Sequence, residues 1–311
     1  MIRLGVIDFD TSHVVEFTRR LNRVGIADDQ GVDGARVVVA CPGSSALAPE
    51  RIPGYKAEMV AMGVPLVERP EDMIGQIDGV LICSLEGAAH LQRARPFLEA
   101  GLPCFIDKPF TCSVADACEL VALSQRYSAP IFSSSAMRYA PEVVAYVAQR
   151  PDGDILGAVS YGPAQLAVAH ARDGVRGVST PRWRNPGWFH YGIHPAELLY
   201  TLMGPGCRQL TCSHEIGADV VTAHWHNGRV ATVRGLRSGD NLNYGFLVFA
   251  ERATRHVPVS TGYAYRELLK QIVTFFQTKI APVPPSETVE LMAFLEAALS
   301  SQTNGGTPAV V

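Results

Sequence analysis

Short apolar runs alternate with helical patterns over the first 135 residues, and this alternation limits the fold more than any other feature of the chain. The runs lie at Leu4–Ile7, Val37–Ala40, Val80–Cys83, Cys104–Ile106 and Ile131–Phe132. The helical patterns between them lie at Val14–Val24, Ala89–Ala100 and Val114–Tyr127. Uninterrupted apolar runs of this length are typical of parallel strands that are covered on both faces. The sequence therefore predicts an α/β fold whose first part is a Rossmann-type, doubly wound parallel sheet.

The pattern changes after about residue 150, where longer strand-like stretches dominate. They lie at Leu156–Tyr161, Val220–His226, Arg229–Leu236 and Tyr244–Phe249, with helical patterns at 192–203, 263–279 and 286–301. Asn227-Gly228 between two of the strands is a strong hairpin signal. We expect a Rossmann-type dinucleotide-binding domain over residues 1–135. A substrate-binding and oligomerisation domain of α+β type, with a large, mainly antiparallel sheet, is expected over residues 136–311. Gly162–Arg184 fits neither periodicity and is expected to be a long loop.

Composition narrows the classes of partner and compartment. The chain has 311 residues, of which 47% are hydrophobic and 18% charged, and its formal net charge is −3. Without a basic patch or a long apolar run, neither nucleic acid nor a membrane is expected as a partner. The N-terminus enters a strand directly and shows no signal peptide, so we expect a cytoplasmic protein. The seven scattered cysteines are interpreted as free thiols.

The first strand-to-helix turn departs from the usual dinucleotide fingerprint. That fingerprint, G-x-G-x-x-G, lets backbone amides approach a pyrophosphate, but here Asp8, Asp10 and His13 occupy its three glycine positions. Two carboxylates there would repel the phosphates, so they must point away or be compensated if a cofactor binds. On this reasoning, Asp10→Gly is expected to tighten cofactor binding. Thr11 and Ser12 either contact phosphate or, with Asp10, cap the helix, and both interpretations stay open.

Asp107-Lys108-Pro109 follows a buried strand at its carboxyl end, which is where open α/β sheets bind ligands. Lys108 is one of four lysines among 27 basic residues. A lysine in this place can hydrogen-bond a substrate hydroxyl and help to move a proton. The alternatives are a salt bridge to Asp107 or a solvated side chain.

A second group of candidates lies near the start of the helix at 192–203. Because Pro195 fits only the first turn of a helix, His194 should lie at the positive end of the helix dipole, which keeps its imidazole neutral. Glu197, one turn further on, and His190, upstream, are expected to orient His194. His190, His194 and Glu197 also have spacings that suit a metal, but no further strong ligand is near, and no metal is predicted.

At these residues the chain resembles the glucose–fructose oxidoreductase / inositol dehydrogenase / rhizopine-catabolism (Gfo/Idh/MocA) family over nearly its whole length. Asp107-Lys108-Pro109 resembles the family's E-K-P motif, and Gly192-Ile193-His194 followed by Leu198–Gly204 resembles its D-x-x-x-H-x-x-D helix. Further similarity lies in Leu85–Ala100 with His90, in Arg138-Tyr139 and in Ile155-Leu156-Gly157.

The resemblance implies a nicotinamide cofactor, NAD or NADP, with Lys108 and His194 acting at the reacting carbon. His190 and Glu197 stand where the family usually has aspartates, and we include both among the catalytic candidates. The candidate cofactor contacts are Asp8, Asp10, Thr11, Ser12, His13, Ser84, His90, Asp107 and Lys108. Family precedent also implies a homodimer or homotetramer formed through the second sheet.

The leading functional hypothesis is an NAD(P)-dependent oxidoreductase acting on a sugar, a polyol or a related hydroxylated small molecule. His194 would remove a hydroxyl proton, and Lys108 would polarise the same oxygen. One alternative is an NAD-assisted glycoside-cleaving enzyme or lyase with no net redox change. Another is a non-catalytic, ligand-sensing member with a degenerate cofactor site. Three arginines of the expected loop either contact an acidic or phosphorylated substrate or are exposed to solvent: Arg172, Arg182 and Arg184.

Overall fold

The computed structural model describes residues 1–167, 185–240 and 243–311. Its first sheet has five parallel strands in the order β2-β1-β3-β4-β5. They are β1 (Ile2–Ile7), β2 (Ala35–Cys41), β3 (Gly79–Ile82), β4 (Cys104–Ile106) and β5 (Ile131–Phe132). The helices of this part are α1 (His13–Asn22), α2 (Ile52–Ala61), α3 (His90–Glu99) and α4 (Val114–Arg126). The predicted Rossmann-type parallel sheet is confirmed.

Helix α2 was not predicted, and its surface explains why. Of its ten residues only Met59 is buried, so the helix shows no apolar stripe that a periodicity argument can detect. Helix α1 also ends two residues earlier than expected, because Arg23 takes a left-handed conformation with φ 54° and closes the helix.

The second sheet has seven strands in the order β11-β10-β6-β9-β8-β7-β12. The elements of this part, in chain order, are α5 (Pro141–Gln149), β6 (Ile155–Pro163), α6 (Ile193–Met203), β7 (Cys207–Glu215), β8 (Ala218–Trp225), β9 (Val230–Leu236), β10 (Tyr244–Ala250), β11 (Thr254–Val259), α7 (Ala264–Thr278), α8 (Pro285–Thr303) and β12 (Ala309–Val310). Only the β6–β9 pair is parallel among the pairings described. The mainly antiparallel sheet is therefore confirmed, and so is the hairpin, in which Gly228 has φ 84°.

The expected loop at Gly162–Arg184 is partly wrong, because residues 162 and 163 pair within β6. Residues 168–184 lie outside the described part of the chain. The missed helix α5 begins with a proline and buries only Val143 and Tyr146.

Helix α7 belongs to the last part of the chain but packs on the first sheet. A Cβ at Gly79 of β3 would lie 2.3 Å from Cε1 of Phe276, so the bare backbone at this position leaves room for the ring. Phe275 contacts Phe132 of β5, with 5.7 Å between ring centroids. One continuous apolar core consequently runs through both parts. The boundary at residues 135 and 136 stays a prediction.

All seven cysteines are free thiols, five of them buried. None of the helices among the described residues has an apolar stretch long enough to cross a membrane.

Candidate active site

A cleft of about 400 Å³ opens where the carboxyl edge of the parallel sheet meets helices α6 and α7. The loops after β1 and β4 contribute one wall, and the segment leading into α6 contributes another. Its lining side chains are Thr11, Ser12, His13, Glu16, Arg20, Arg51, Leu85, Lys108, Ala136, Met137, His190, Tyr191, His194, Tyr244, Thr261 and Tyr265. The fold thus brings Lys108, His190 and His194 to one cavity with the residues of the first turn.

Lys108 lines the cleft with 6% of its surface exposed. Its ammonium group is 5.7 Å from the ring centre of Tyr191, and no carboxylate among the described residues lies within salt-bridge distance of it. The expected alternative, a salt bridge to Asp107, is wrong. Asp107 instead accepts hydrogen bonds from the backbone N–H of Lys108, at 2.8 Å, and from His13. The charge of Lys108 is therefore directed at the cleft.

His194 lies in the first turn of α6, with Nδ1 2.7 Å from Oγ of Ser135. Burial, followed by the charge of Lys108, lowers the pKa of His194 well below 6.5. Tyr191 and Tyr244 pack edge-on against its ring. The imidazole is therefore neutral at neutral pH, as expected for a group that accepts a proton.

The expectation that Glu197 or His190 contacts His194 is wrong. Glu197 is buried and accepts hydrogen bonds from the hydroxyl of Ser134, from the backbone N–H of Ser135 at 2.7 Å and from Arg138 at 2.9 Å. Burial raises its pKa, although Arg138 opposes this. Glu197 thus reaches His194 only through Ser135, because it fixes the backbone that carries the Ser135 hydroxyl.

His190 lines the cleft, and its Nδ1 lies 3.4 Å from the side-chain amide nitrogen of Asn185. Burial and the charges of Lys108 and Arg51 lower its pKa to about 4. Two neutral imidazoles and one ammonium group therefore line the same cleft.

Ser135 was missed by the sequence analysis. It closes the run Ser133-Ser134-Ser135, which follows β5 directly at its carboxyl end. Polar residues at such an edge are a signal for a site, and this signal was open to sequence reasoning.

The two carboxylates of the first turn point into the protein. Asp8 is 1% exposed and takes φ 65°. It accepts hydrogen bonds from the hydroxyl of Ser84 and from Nε of Arg93, the latter at 2.9 Å. Burial raises its pKa to about 6, with Arg93 opposing. Asp10 accepts the backbone N–H of Leu85 at 2.9 Å. Neither side chain lines the cleft.

The capping interpretation of the first turn is wrong for Asp10 and Ser12 and is confirmed only for Thr11, through one long hydrogen bond. Ser12 is the N-cap residue of α1, but its side chain makes no capping hydrogen bond. Only Thr11 Oγ1 approaches a helix amide, that of His13, at 3.5 Å. Thr11 and Ser12 line the cleft, as does Arg51, whose guanidinium donates to the backbone carbonyl of Asp10 at 3.4 Å.

The remaining predicted cofactor contacts lie behind the cleft wall. His90 is fully buried, and its two nitrogens face the carbonyl oxygens of Ser84 and Pro109, both at 2.9 Å. It thereby joins the loop after β3 to the loop after β4. Asp107 is held by His13 at 2.5 Å. Arg172, Arg182 and Arg184 lie outside the described residues.

No group of three His, Cys, Asp or Glu side chains suited to a metal ion occurs in the part of the chain that the structure describes.

Comparison with known proteins supports the family resemblance. Residues 44–134 match the model GFO_IDH_MocA, described as "Oxidoreductase family, NAD-binding Rossmann fold". The inositol 2-dehydrogenase of Cereibacter sphaeroides is 26% identical over 288 residues, covering 85% of this chain and 76% of that protein. The chain therefore resembles the Gfo/Idh/MocA family, both in the residues that match its NAD-binding model and in its similarity to an inositol 2-dehydrogenase. It is thus an NAD-binding oxidoreductase, and the resemblance, the dehydrogenase class and the nicotinamide cofactor are confirmed.

Solved structures agree on the fold. The myo-inositol 2-dehydrogenase of Lactobacillus plantarum superposes with a TM-score of 0.77 at 16% identity, covering 100% of this chain and 99% of that chain. The WlbA dehydrogenase of Bordetella pertussis, solved with NADH and UDP-GlcNAcA, gives 0.77 at 16% identity, with coverage of 100% and 97%. At these identities the likeness shows the architecture.

The residues near α1 fit a dinucleotide despite the missing glycines. Thr11 and Ser12 line the cleft at the start of a ten-residue helix, and Arg51 lines the same cleft. Helix N-termini and arginine are suited to phosphate. The negative charge at the Asp8 position is turned inward and paired with Arg93, so it does not oppose a pyrophosphate from the cleft side.

Proposed function

We propose that the protein is an NAD-dependent dehydrogenase that oxidises a secondary hydroxyl of a polyol or sugar, with Lys108 and His194 at the reacting oxygen. The observation that carries this proposal is that both side chains line one cleft although they belong to different elements, the end of β4 and the start of α6. A buried ammonium group beside a neutral imidazole is an arrangement suited to moving a hydroxyl proton.

His194 acts as the general base in this proposal. Its Nδ1–H donates to Ser135 Oγ, which leaves the lone pair of Nε2 for the substrate hydroxyl. Lys108 donates a hydrogen bond to the same oxygen and stabilises the negative charge that develops when the proton leaves. Bound NAD supplies the hydride acceptor.

The lining of the cleft supports a hydroxylated substrate. Tyr191, Tyr244 and Tyr265 offer aromatic faces and hydroxyl groups, and Thr261 adds another hydroxyl. Only three of the sixteen described lining residues, Leu85, Ala136 and Met137, have apolar side chains, so the cleft suits a ligand that carries several hydroxyl groups. The relatives named inositol 2-dehydrogenase point to a cyclic polyol as the first substrate to test.

The proposal extends to the roles of the two domains and to the assembly of the protein. We propose that residues 1–135 bind the cofactor, that residues 136–311 bind substrate, and that the second sheet joins copies into a homodimer or homotetramer. Sedimentation of the purified chain tests the assembly.

The function is tested by incubating the purified chain with myo-inositol and a panel of sugars and polyols, with NAD or NADP, and following formation of the reduced cofactor. His194→Ala and Lys108→Ala should each lower kcat/KM by about 10²–10⁴-fold. Exposed His226→Ala and Lys56→Ala are matched controls and should leave the rate unchanged.

The other hypotheses are outcomes of the same assay. Product formation without net cofactor reduction would establish a lyase or glycoside-cleaving reaction. Binding of a polyol without any turnover would establish a sensor. Full activity in both the His194 and the Lys108 variants would overturn the site assignment.

A further inference from the structure

A second hydrogen-bonded chain opens onto the cleft, and the proposed chemistry does not use it. His13 stands where the fingerprint has its third glycine, and it is 6% exposed. Its Nδ1 lies 2.5 Å from Oδ2 of Asp107, and its ring stacks on Phe17 with 4.9 Å between centroids. A glycine at this position would provide neither contact.

The other nitrogen of His13 holds Tyr265. His13 Nε2 lies 3.1 Å from the hydroxyl oxygen of Tyr265, in the first turn of α7. The tyrosine ring also packs edge-on against Phe17, and the guanidinium of Arg20 lies 5.5 Å from its centre. Three segments therefore meet here: the start of α1, the end of β4 and α7. Tyr265 is fixed in direction, and it lines the same cleft as Lys108 and His194.

The direction of the hydrogen bonds follows from Asp107. Burial raises the pKa of this carboxyl group, but the attraction and hydrogen bond of His13 outweigh burial and bring the pKa to about 2. An ionised carboxylate only accepts, so Nδ1 of His13 carries the proton. When His13 carries this proton alone, Nε2 is an acceptor and takes the O–H of Tyr265. The phenolic oxygen has its own proton engaged and offers the cleft only lone pairs.

We propose that Tyr265, oriented by Asp107 and His13, accepts a hydrogen bond from a substrate hydroxyl other than the one that is oxidised. The cleft then recognises two hydroxyl groups of one molecule, one at Lys108 and His194 and one at Tyr265. His13 and Asp107 are positioning residues, and Tyr265 is the contact. This inference rests on the proposed function and names its substrate class as a diol or polyol.

The polarity of the contact determines selectivity. A carbonyl or ether oxygen in place of the second hydroxyl has no proton to give, and it would place lone pair against lone pair. A substrate that lacks the second hydroxyl leaves the phenolic oxygen without its partner, which costs free energy in a closed site.

The test compares Tyr265→Phe with the wild-type protein on myo-inositol and on its monodeoxy analogues. Loss of one neutral hydrogen bond should lower kcat/KM on myo-inositol by about 2–12-fold. On the analogue that lacks the contacted hydroxyl, the wild-type protein should show a similar loss, and Tyr265→Phe should cause none beyond it. Tyr263→Phe is the matched control, because Tyr263 also lies at the start of α7 but pairs with Asp29.

The positioning role is tested with His13→Phe, which keeps an aromatic ring against Phe17 and removes both hydrogen bonds. His13→Phe should lower kcat/KM by the same factor as Tyr265→Phe. The double variant should lose little more, because the two changes interrupt the same row of hydrogen bonds. In the ligand-free protein, ¹⁵N NMR should show His13 protonated at Nδ1, the signal being assigned by its absence in His13→Phe.

Each outcome decides the inference. A proton on Nε2 of His13 would reverse the polarity and overturn it. If Tyr265→Phe lowers kcat/KM equally on myo-inositol and on every deoxy analogue, or does not lower it at all, the inferred contact is overturned while the proposed dehydrogenase stands. Absence of turnover on every hydroxylated probe would overturn the proposed function and this inference together.

Discussion

Ser135 Oγ lies 2.7 Å from Nδ1 of His194, and it also accepts the backbone N–H of Met137 at 3.2 Å. The serine is therefore held by the main chain before it meets the imidazole. The carboxylate of Glu197 also fixes this serine, because it accepts the backbone N–H of Ser135. The orientation of the proposed base thus depends on residues that follow β5, 59 residues away in the chain.

Replacement of Ser135 by alanine should lower kcat by about ten-fold or more, because the imidazole loses the contact that selects its tautomer. The measurement is steady-state turnover with the best polyol from the panel. Ser133→Ala is the control, since within the described residues the Ser133 hydroxyl makes no hydrogen bond. Equal effects in the two variants would contradict the orienting role.

The pH dependence of catalysis should show an acid limb well below pH 6.5. Burial and the charge of Lys108 lower the pKa of His194, so the base stays deprotonated as the pH falls through the usual histidine range. The check is a profile of log kcat/KM against pH, which reports groups of the free enzyme. In Lys108→Met, whose residual rate still gives a profile, the limb should move to higher pH. An unmoved limb would show that Lys108 does not influence the base.

Glu86 should make stability depend on pH in the direction opposite to that of a salt-bridged carboxylate. Burial, followed by Asp10, raises its pKa from 4.5 to about 7, so the folded state binds more protons than the unfolded state in this window. The contribution of protonated Glu86 to the free energy of unfolding is complete below pH 4.5, and it is lost as the pH rises through about 7. The difference in Tm between Glu86→Gln and the wild-type protein should increase over that pH range. The same difference for Glu99→Gln, at an exposed position, should stay constant with pH. A constant difference would contradict the shift.

Loss of Arg93 should destabilise the first turn. Arg93→Ala leaves the carboxylate of Asp8 buried without its cation, at an expected cost of about 1.5–3 kcal/mol in the free energy of unfolding. Asp8→Gly in the same background should recover much of this, because it removes the charge and φ 65° suits glycine. Urea unfolding of the single and double variants gives both values, and failure of the second change to restore stability would contradict the pairing.

Asp10→Gly is now expected to weaken NAD binding, the reverse of the expectation from charge alone. The carboxylate of Asp10 faces inward and holds the backbone N–H of Leu85, a cleft-lining residue. Removing it releases the loop after β3 without removing a charge from the cleft. Calorimetric titration with NAD measures the change, with Asp29→Gly on the surface as the control. Tighter binding would restore the original view.

The strands of the first sheet could be predicted because burial on both faces is recorded directly in uninterrupted apolar runs such as Val80–Cys83. Helix α2 could not be predicted, because its exposed surface has no periodic apolar stripe. Lys108 and His194 were identified from local context: a strand end in one case and a proline in the first turn of a helix in the other.

The hydrogen-bond partners in the site could not be predicted from the sequence. His13 was predicted as a cofactor contact at a glycine position, but its contacts with Asp107 and Tyr265, which span 94 and 252 residues, were not predicted. Ser135 likewise meets His194 only in the folded chain. Local patterns predict which elements form, but they do not specify which side chains the tertiary fold brings within hydrogen-bond distance.

The packing of α7 on the first sheet has a consequence for synthesis on the ribosome. The strands and the turn of the Rossmann-type part are all translated by residue 135, but Phe276, which lies against Gly79, is made more than a hundred residues later. Until then one side of the nascent sheet is exposed to water and available to chaperones. The first part of the chain to be translated is therefore among the last to complete its burial.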